Sequence, residues 1–262
     1  MKEKITKHLP PAHPGAEHIH WLDTIDSTNT YAKTLAQKGA PHGTVVIADR
    51  QTGGRGRMGR SFSSPGGMGV YLSMILRPAC QATELMHLTC AVAVAMCDAI
   101  ETVTGFRPQV KWINDLIAKG KKLGGILTEL SLVPGTASID FAVVGIGINC
   151  CQAVTDFPEE LQTIAISLRD VTEKPVDRAK LAATMAEALW NMSRTLVAEK
   201  TDILTKYKAN CITLGQDIYL LQGDEKRPCH AIDIDPDGAL IVQYPDGTKQ
   251  AVNSGEVSVR PQ

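Results

Sequence analysis

The sequence predicts an α+β fold, with a mixed β-sheet domain and a small β-barrel at the C-terminus. Three observations predict it. Before Cys211, candidate strands outnumber candidate helices and are not strictly alternated by them, which argues against a doubly wound sheet. Near Leu214 the texture changes to short alternating strands separated by turns at Gln222-Gly223, Pro236-Asp-Gly and Pro245-Asp-Gly. The length of 262 residues suits one large domain plus a small one. The expected division is an irregular lead-in over 1–20, the mixed-sheet domain over 21–212 and the barrel over 213–262.

The elements follow in order. Residues 1–20 hold three prolines and four histidines and read as irregular, with His18 and His20 solvated rather than metal-bound. Asp26, Ser27 and Thr28 offer N-cap oxygens for a helix carrying Tyr31 and Leu35, stopped by Gly39 and Pro41. Thr44 to Ala48 and Val70 to Leu76 read as strands around an aperiodic stretch rich in Gly, Arg and Ser. Leu85, Leu88, Val92, Met96 and Ile100 mark a long buried helix closed by Gly105 and Pro108. Strands are expected at Gln109–Ile113, Gly125–Leu130 and Ser138–Ile148, and irregular chain over 151–172. Leu181, Met185, Leu189, Met192 and Leu196 define a helix expected to continue through Ile203 and Tyr207.

Composition excludes several classes. Lys plus Arg total 27 against 28 for Asp plus Glu, a net charge of −1. That opposes a bulk nucleic-acid binder and a polybasic membrane-surface protein. An apolar fraction of 44% is ordinary for a folded core. Seven cysteines without a C-x-x-C pair fit a reducing cytoplasm better than a disulfide or zinc framework. No apolar N-terminal stretch reads as a signal peptide, and no run of 18 apolar residues predicts a membrane span.

Chemistry concentrates in three places. Asp49-Arg-Gln-Thr-Gly-Gly-Arg-Gly-Arg-Met-Gly-Arg60 carries four arginines and four glycines. Forked guanidinium donors and bare backbone suit a phosphate or carboxylate, and equally a flexible basic surface loop; the P-loop spacing is absent. Lys111-Trp-Ile-Asn-Asp115 precedes a lysine-rich tip in which Lys119 and Lys121 read as solvated and Lys122 as reaching inward. Gly145-Ile-Gly-Ile-Asn149 lacks the third glycine and following helix of a dinucleotide loop; its glycines let a ligand or backbone approach a strand. No Ser, Cys or carboxylate stands in a recognisable nucleophilic context.

Taken together, Asp26-Ser-Thr-Asn29, the Gln51 to Gly59 loop, Lys111-Trp-Ile-Asn-Asp115, Lys122-Leu-Gly-Gly-Ile-Leu127 and Gly145-Ile-Gly-Ile-Asn149 resemble, in order and spacing, the motifs of biotin protein ligases. The resemblance covers residues 20–262 and implies a mixed β-sheet catalytic domain of the biotin/lipoyl ligase type with a small C-terminal SH3-like β-barrel. It implies that biotin and ATP form biotinyl-5′-AMP and pyrophosphate, and that biotin then passes to a lysine of a biotin carboxyl carrier protein of the acetyl-CoA carboxylase type. It places Ser27, Thr28, Asn29, Gln51, Arg55, Gly56, Arg57, Lys122, Leu127, Gly145 and Gly147 around biotin. It places Arg55, Gly56 and Arg57 in a ligand-ordered loop, with Arg57, Lys122 and Lys111 as the catalytic cations. Arg55, Arg57, Arg60, Lys111, Asn114, Lys122 and Asn149 are then nucleotide residues, and Asp115 a ligand of Mg2+ through the phosphates. The sequence departs from the family pattern at Ile113 (usually proline), Phe62 (commonly tryptophan) and Gly69 (frequently asparagine). The resemblance further implies a monofunctional enzyme without operator binding to DNA, and family members occur as monomers or as homodimers through the sheet. A lipoate or octanoate ligase of the related fold is the alternative reading.

Overall fold

The computed structural model describes residues 1–10, 17–222, 225–253 and 260–261. Seven strands form the larger sheet: β1 (Ile19–Ile25), β2 (Val45–Gln51), β3 (Gly69–Leu76), β4 (Gln109–Lys111), β5 (Asp115–Ala118), β6 (Lys121–Leu132) and β7 (Ile139–Asn149). Their spatial order is β1-β2-β3-β7-β6-β5-β4. The β1–β2 pair is parallel and the other pairs are antiparallel, so the sheet is mixed.

Alternation along the strands divides the core. Val45, Ile47, Leu72, Met74, Val144 and Ile146 point to one face, which α3 (Leu88–Thr104) and α5 (Arg178–Thr195) cover, with α6 (Lys200–Ala209) packed against α3. Val46, Ile75, Phe141 and Val143 point to the other, where α2 (Thr28–Gln37) lays down Ala32 and Ala36. This helix is short, so it covers only part of its face; the rest of that face is where the site lies. Ser27 caps α2, accepting from Thr30 N–H. α3 ends at Gly105 in the left-handed region, φ 73°.

Three expectations change. The lead-in is not wholly irregular: Lys2–His8 forms α1, with Ile5 and Leu9 buried in the main core. Two apolar positions are too few to signal a helix by periodicity; the surface they cover creates it. The helix expected through Tyr207 is broken: α5 stops at Thr195 and α6 starts at Lys200. The Leu196 carbonyl accepts from His87 Nε2 at 2.8 Å rather than continuing a helical ladder. The strand expected to reach Ile113 ends at Lys111; residues 112–114 turn, with a cis Trp112–Ile113 peptide, and β5 follows. Ala82–Thr104 is long and apolar enough to cross a membrane by length and composition alone, but most of its apolar window is buried in the fold. Between β7 and α5 the chain holds α4 (Leu168–Thr172) and otherwise irregular structure.

The C-terminal unit is an antiparallel sheet of β8 (Asp217–Gln222), β9 (Glu225–Ile234), β10 (Leu240–Gln243), β11 (Lys249–Val252) and β12 (Arg260–Pro261), ordered β11-β10-β9-β8-β12. The turns at Asp237-Gly238 and Asp246-Gly247 place glycines at φ 85° and 84°. The turn expected at Gln222-Gly223 lies outside the described residues.

Candidate active site

On the face that α2 leaves open, the register aligns two rows. Ser73 of β3, Gly145 of β7 and Leu127 of β6 form one; Tyr71, Gly147 and Gly125 form the next. Three glycines leave a floor of bare backbone. A side chain at Gly145 would run into the Asn29 amide, and one at Gly147 into the Phe62 ring. The sequence predicts a ligand or another backbone against these glycines; in the structure the side chains of Asn29 and Phe62 lie there.

Every predicted site residue except Asn149 lines the cleft above this floor. Asn149 is buried at the end of β7, donating from Nδ2 to Ile166 O at 3.2 Å and accepting from Gln152 at 3.3 Å. It anchors the segment that follows β7 rather than facing the cleft. Lys119 is exposed at the β5–β6 turn, as expected.

One end of the cleft is uncharged. The N-terminus of α2 brings Ser27, Thr28 and Asn29 over the floor. Gln51, at the end of β2, accepts through Oε1 from Thr28 N–H at 2.9 Å and donates from Nε2 to Ser64 Oγ at 2.9 Å. Ser73 Oγ lies 2.8 Å from Thr28 Oγ1 and 2.6 Å from Asn29 Oδ1. Donors and acceptors are thus fixed in place before any ligand arrives.

The other end is cationic. Lys122 Nζ donates to Asp115 Oδ1 at 2.6 Å, across the β5–β6 pairing. Lys111 sits opposite Asp115 on β4. The arginine-rich loop folds back as a tight hairpin: Gly56 N–H bonds Arg60 O at 2.7 Å, and Phe62 N–H bonds Gly54 O at 2.9 Å. That hairpin carries Arg57 across to Asn114, with Nη1 donating to Oδ1 at 3.2 Å. The Arg57 Nη2 nitrogen is buried and has no hydrogen-bond partner. Burial pushes the Arg57 guanidinium below its ordinary pKa, and the nearby Asp115 carboxylate opposes that. A desolvated cation with an unused donor is a site for an anion. The lining carboxylate is Asp115, and no group of three His, Cys, Asp or Glu among the described residues is arranged to hold a metal.

Comparison with known proteins places the chain. Residues 21–149 match the biotin/lipoate A/B protein ligase family, and residues 213–260 match the biotin protein ligase C-terminal domain. The biotin--[acetyl-CoA-carboxylase] ligase of Mycobacterium tuberculosis is 30% identical over 262 residues, covering 98% of this chain and 94% of that protein. The chain belongs to the biotin protein ligase family. A bifunctional ligase/repressor of Bacillus spizizenii is 34% identical over 235 residues, covering 89% of this chain and 72% of that protein. Among solved structures, the biotin protein ligase of Aquifex aeolicus in complex with biotin and ATP superposes with a TM-score of 0.78 at 30% identity, covering 94% of this chain and all of that one. The Mycobacterium tuberculosis and Aquifex aeolicus relatives carry biotin rather than lipoate in their names.

Within this biotin protein ligase fold, sequence reasoning missed four side chains near the cleft. Ser73 and Glu129 sit inside ordinary-looking strands, and only the sheet register turns them to the cleft side. Phe62 and Ser64 follow the arginine-rich loop; Phe62 packs edge-on to Tyr71 at 6.4 Å.

Proposed function

We infer that this chain is an ATP-dependent biotin protein ligase. Biotin's carboxylate attacks the α-phosphate of ATP, the bond to the pyrophosphate oxygen breaks, and biotinyl-5′-AMP forms with release of pyrophosphate. A lysine amine of a biotin carboxyl carrier protein of the acetyl-CoA carboxylase type then attacks the mixed anhydride and AMP leaves. The carrying observation is the unpartnered Arg57 Nη2 beside Lys122 and Asn114, above a floor of glycines.

The cleft's polarity supports the placement of each substrate. Its neutral end, with Ser27, Thr28, Asn29 and Gln51, offers paired donors and acceptors to a cyclic urea, and Gly145, Gly147 and Leu127 underlie it. Its cationic end receives two anions. The carboxylate of biotin and the α-phosphate repel each other, so Arg57, Lys122 and Lys111 contribute by holding both and stabilising charge in the transition state. Gly56, Arg60 and Asn114 complete that end, and Arg55 lies toward the neutral end, 4.0 Å from Glu129. No protein base is required, because the attacking carboxylate is already ionised. Mg2+ fits as an ion carried by the nucleotide, held by the phosphates with Asp115 as its one carboxylate, where it would neutralise phosphate charge.

We place the functional division at 21–212 and 213–262, with the second unit linked to the site through Trp112. All seven cysteines are free thiols, which supports a reducing cytoplasm. Homodimerisation through the sheet is supported by β6: β5 pairs with only Lys121–Gly125, and beyond it Leu130 and Leu132 are each 45% exposed. Sedimentation velocity with and without biotin and ATP checks this; a single monomer species in both overturns it.

The function is tested by biotin-dependent exchange of labelled pyrophosphate into ATP. Exchange is expected with biotin and Mg2+, and a loss of about 100-fold or more in Arg57→Ala and in Lys122→Ala, both still folded. No exchange with any divalent metal overturns the reading.

A further inference from the structure

Glu129 of β6 touches the residues around the neutral end of the cleft without lining it. Asn29 Nδ2 donates to Glu129 Oε2 at 3.0 Å and to Leu127 O at 3.3 Å. A carboxylate and a carbonyl can only accept, so the NH2 side of the Asn29 amide must face them. Asn29 Oδ1 therefore faces Ser73 Oγ, 2.6 Å away, and the single serine proton is committed there. The 2.8 Å contact between Ser73 and Thr28 hydroxyls is then donated by Thr28. Gln51 Oε1 accepts from Thr28 N–H at 2.9 Å and lies 3.1 Å from Thr28 Oγ1, so its oxygen is fixed toward Thr28 and its Nε2 toward Ser64. The Glu129 carboxylate, with the Leu127 carbonyl, thus sets the direction of the Asn29, Ser73 and Thr28 groups.

The other Glu129 oxygen faces cations. Lys33 Nζ of α2 donates to Oε1 at 2.9 Å, and the Arg55 guanidinium lies 4.0 Å from it. The side chain is 19% exposed. Burial raises its pKa, but the hydrogen bonds from Lys33 and Asn29 and the charges of Lys33 and Arg55 outweigh it, so the carboxyl is held below its ordinary range and stays ionised.

We propose that Glu129 is a positioning residue for biotin: its carboxylate, with the Leu127 carbonyl, fixes the donor and acceptor sense of the Asn29–Ser73–Thr28 chain, and its second oxygen draws Arg55 and its loop toward that end of the cleft. This rests on the ligase reading above. A glutamine keeps the shape but presents either an oxygen or an NH2 to Asn29, which leaves the Leu127 carbonyl as the one remaining group that enforces the sense of the chain.

The test is pyrophosphate exchange with biotin and ATP varied separately, in the unaltered chain and in Glu129→Gln, with thermal unfolding of both. The expected result is a KM for biotin raised about tenfold, with the KM for ATP and kcat within about twofold and unfolding within a few degrees. Ser73→Ala, which breaks the next link, is expected to show the same split. If Glu129→Gln does not fold, Glu129→Asp, whose carboxylate cannot span Asn29 and Lys33 together, carries the same expectation. An unchanged biotin KM overturns the proposal, as does a parallel rise for biotin and ATP. No exchange even in the unaltered chain overturns the ligase reading itself.

Discussion

Gly145 shows how a single missing side chain shapes the site. The position is an extended strand residue that many amino acids adopt, so backbone conformation does not demand glycine there; the space taken by Asn29 does. Gly145→Ala is expected to push the Asn29 amide off Ser73 and Glu129, weakening biotin binding by about tenfold and costing about 1–3 kcal/mol of stability. Isothermal titration with biotin and urea unfolding measure the two effects, and wild-type values in both refute the account. Arg57 and Lys122 were legible as residues because chemistry demands cations near phosphate. Their partners were not. Nothing in the spacing says that Lys122 pairs with Asp115 at 2.6 Å while one nitrogen of Arg57 stays unpaired. Those facts depend on two strands and a loop converging from distant parts of the chain.

At the scale of elements, the turn joining β4 to β5 is held from the C-terminal unit. Trp112 N–H donates to Thr213 Oγ1 at 2.9 Å, and its indole Nε1 donates to Gly238 O at 3.0 Å. The same turn carries Asn114 and Asp115, so the second sheet steadies part of the cleft. Trp112→Phe leaves a buried carbonyl without its donor and is expected to cost about 1–3 kcal/mol, read as a lower urea midpoint. It is also expected to weaken ATP more than biotin, because the neutral end is built from α2, β2 and β3; equal effects on both substrates refute this. The helix α2 and strands β3 and β7 were visible in the sequence because caps and apolar periodicity are local signals. β5 and α1 were not: four residues and seven are too short to show a period, and α1 is held by α5, distant in sequence. Asn149 illustrates a motif residue whose place the fold reassigns, from the cleft to the support of residues 164–166.

Across the whole molecule, buried titratable groups set how stability responds to solution conditions. His87 is fully buried at the start of α3; its Nε2–H meets Leu196 O and its Nδ1 has no partner. Burial lowers its pKa below 6.5, more than the carbonyl hydrogen bond raises it, and burial is also the main cause lowering His20 and His42. A histidine with a lowered folded pKa binds fewer protons folded than unfolded. Stability therefore rises with pH between the folded pKa and 6.5, and falls as the solution is acidified through that window. The melting temperature is expected to drop below about pH 6.5, with a shallower slope in His87→Gln; identical slopes refute the assignment. Burial also pushes the Cys97 and Cys150 thiols up to about 12. Iodoacetamide at pH 8 is expected to leave both unmodified in the folded protein and to alkylate them in urea, as mass spectrometry reads directly. The near-zero net charge was legible at once but averages over a cationic loop of four arginines and an acidic remainder. By itself the sequence determined the fold class, the family resemblance and the residue types at the cationic end, because these are carried by local pattern and motif. Only the tertiary structure decided that Phe62 lines the cleft, that Glu129 and Ser73 stand behind its lining residue Asn29, and that Asn149 faces away. Strand register and helix placement choose which face and which neighbour each side chain meets, and those choices are made by packing across the whole sheet.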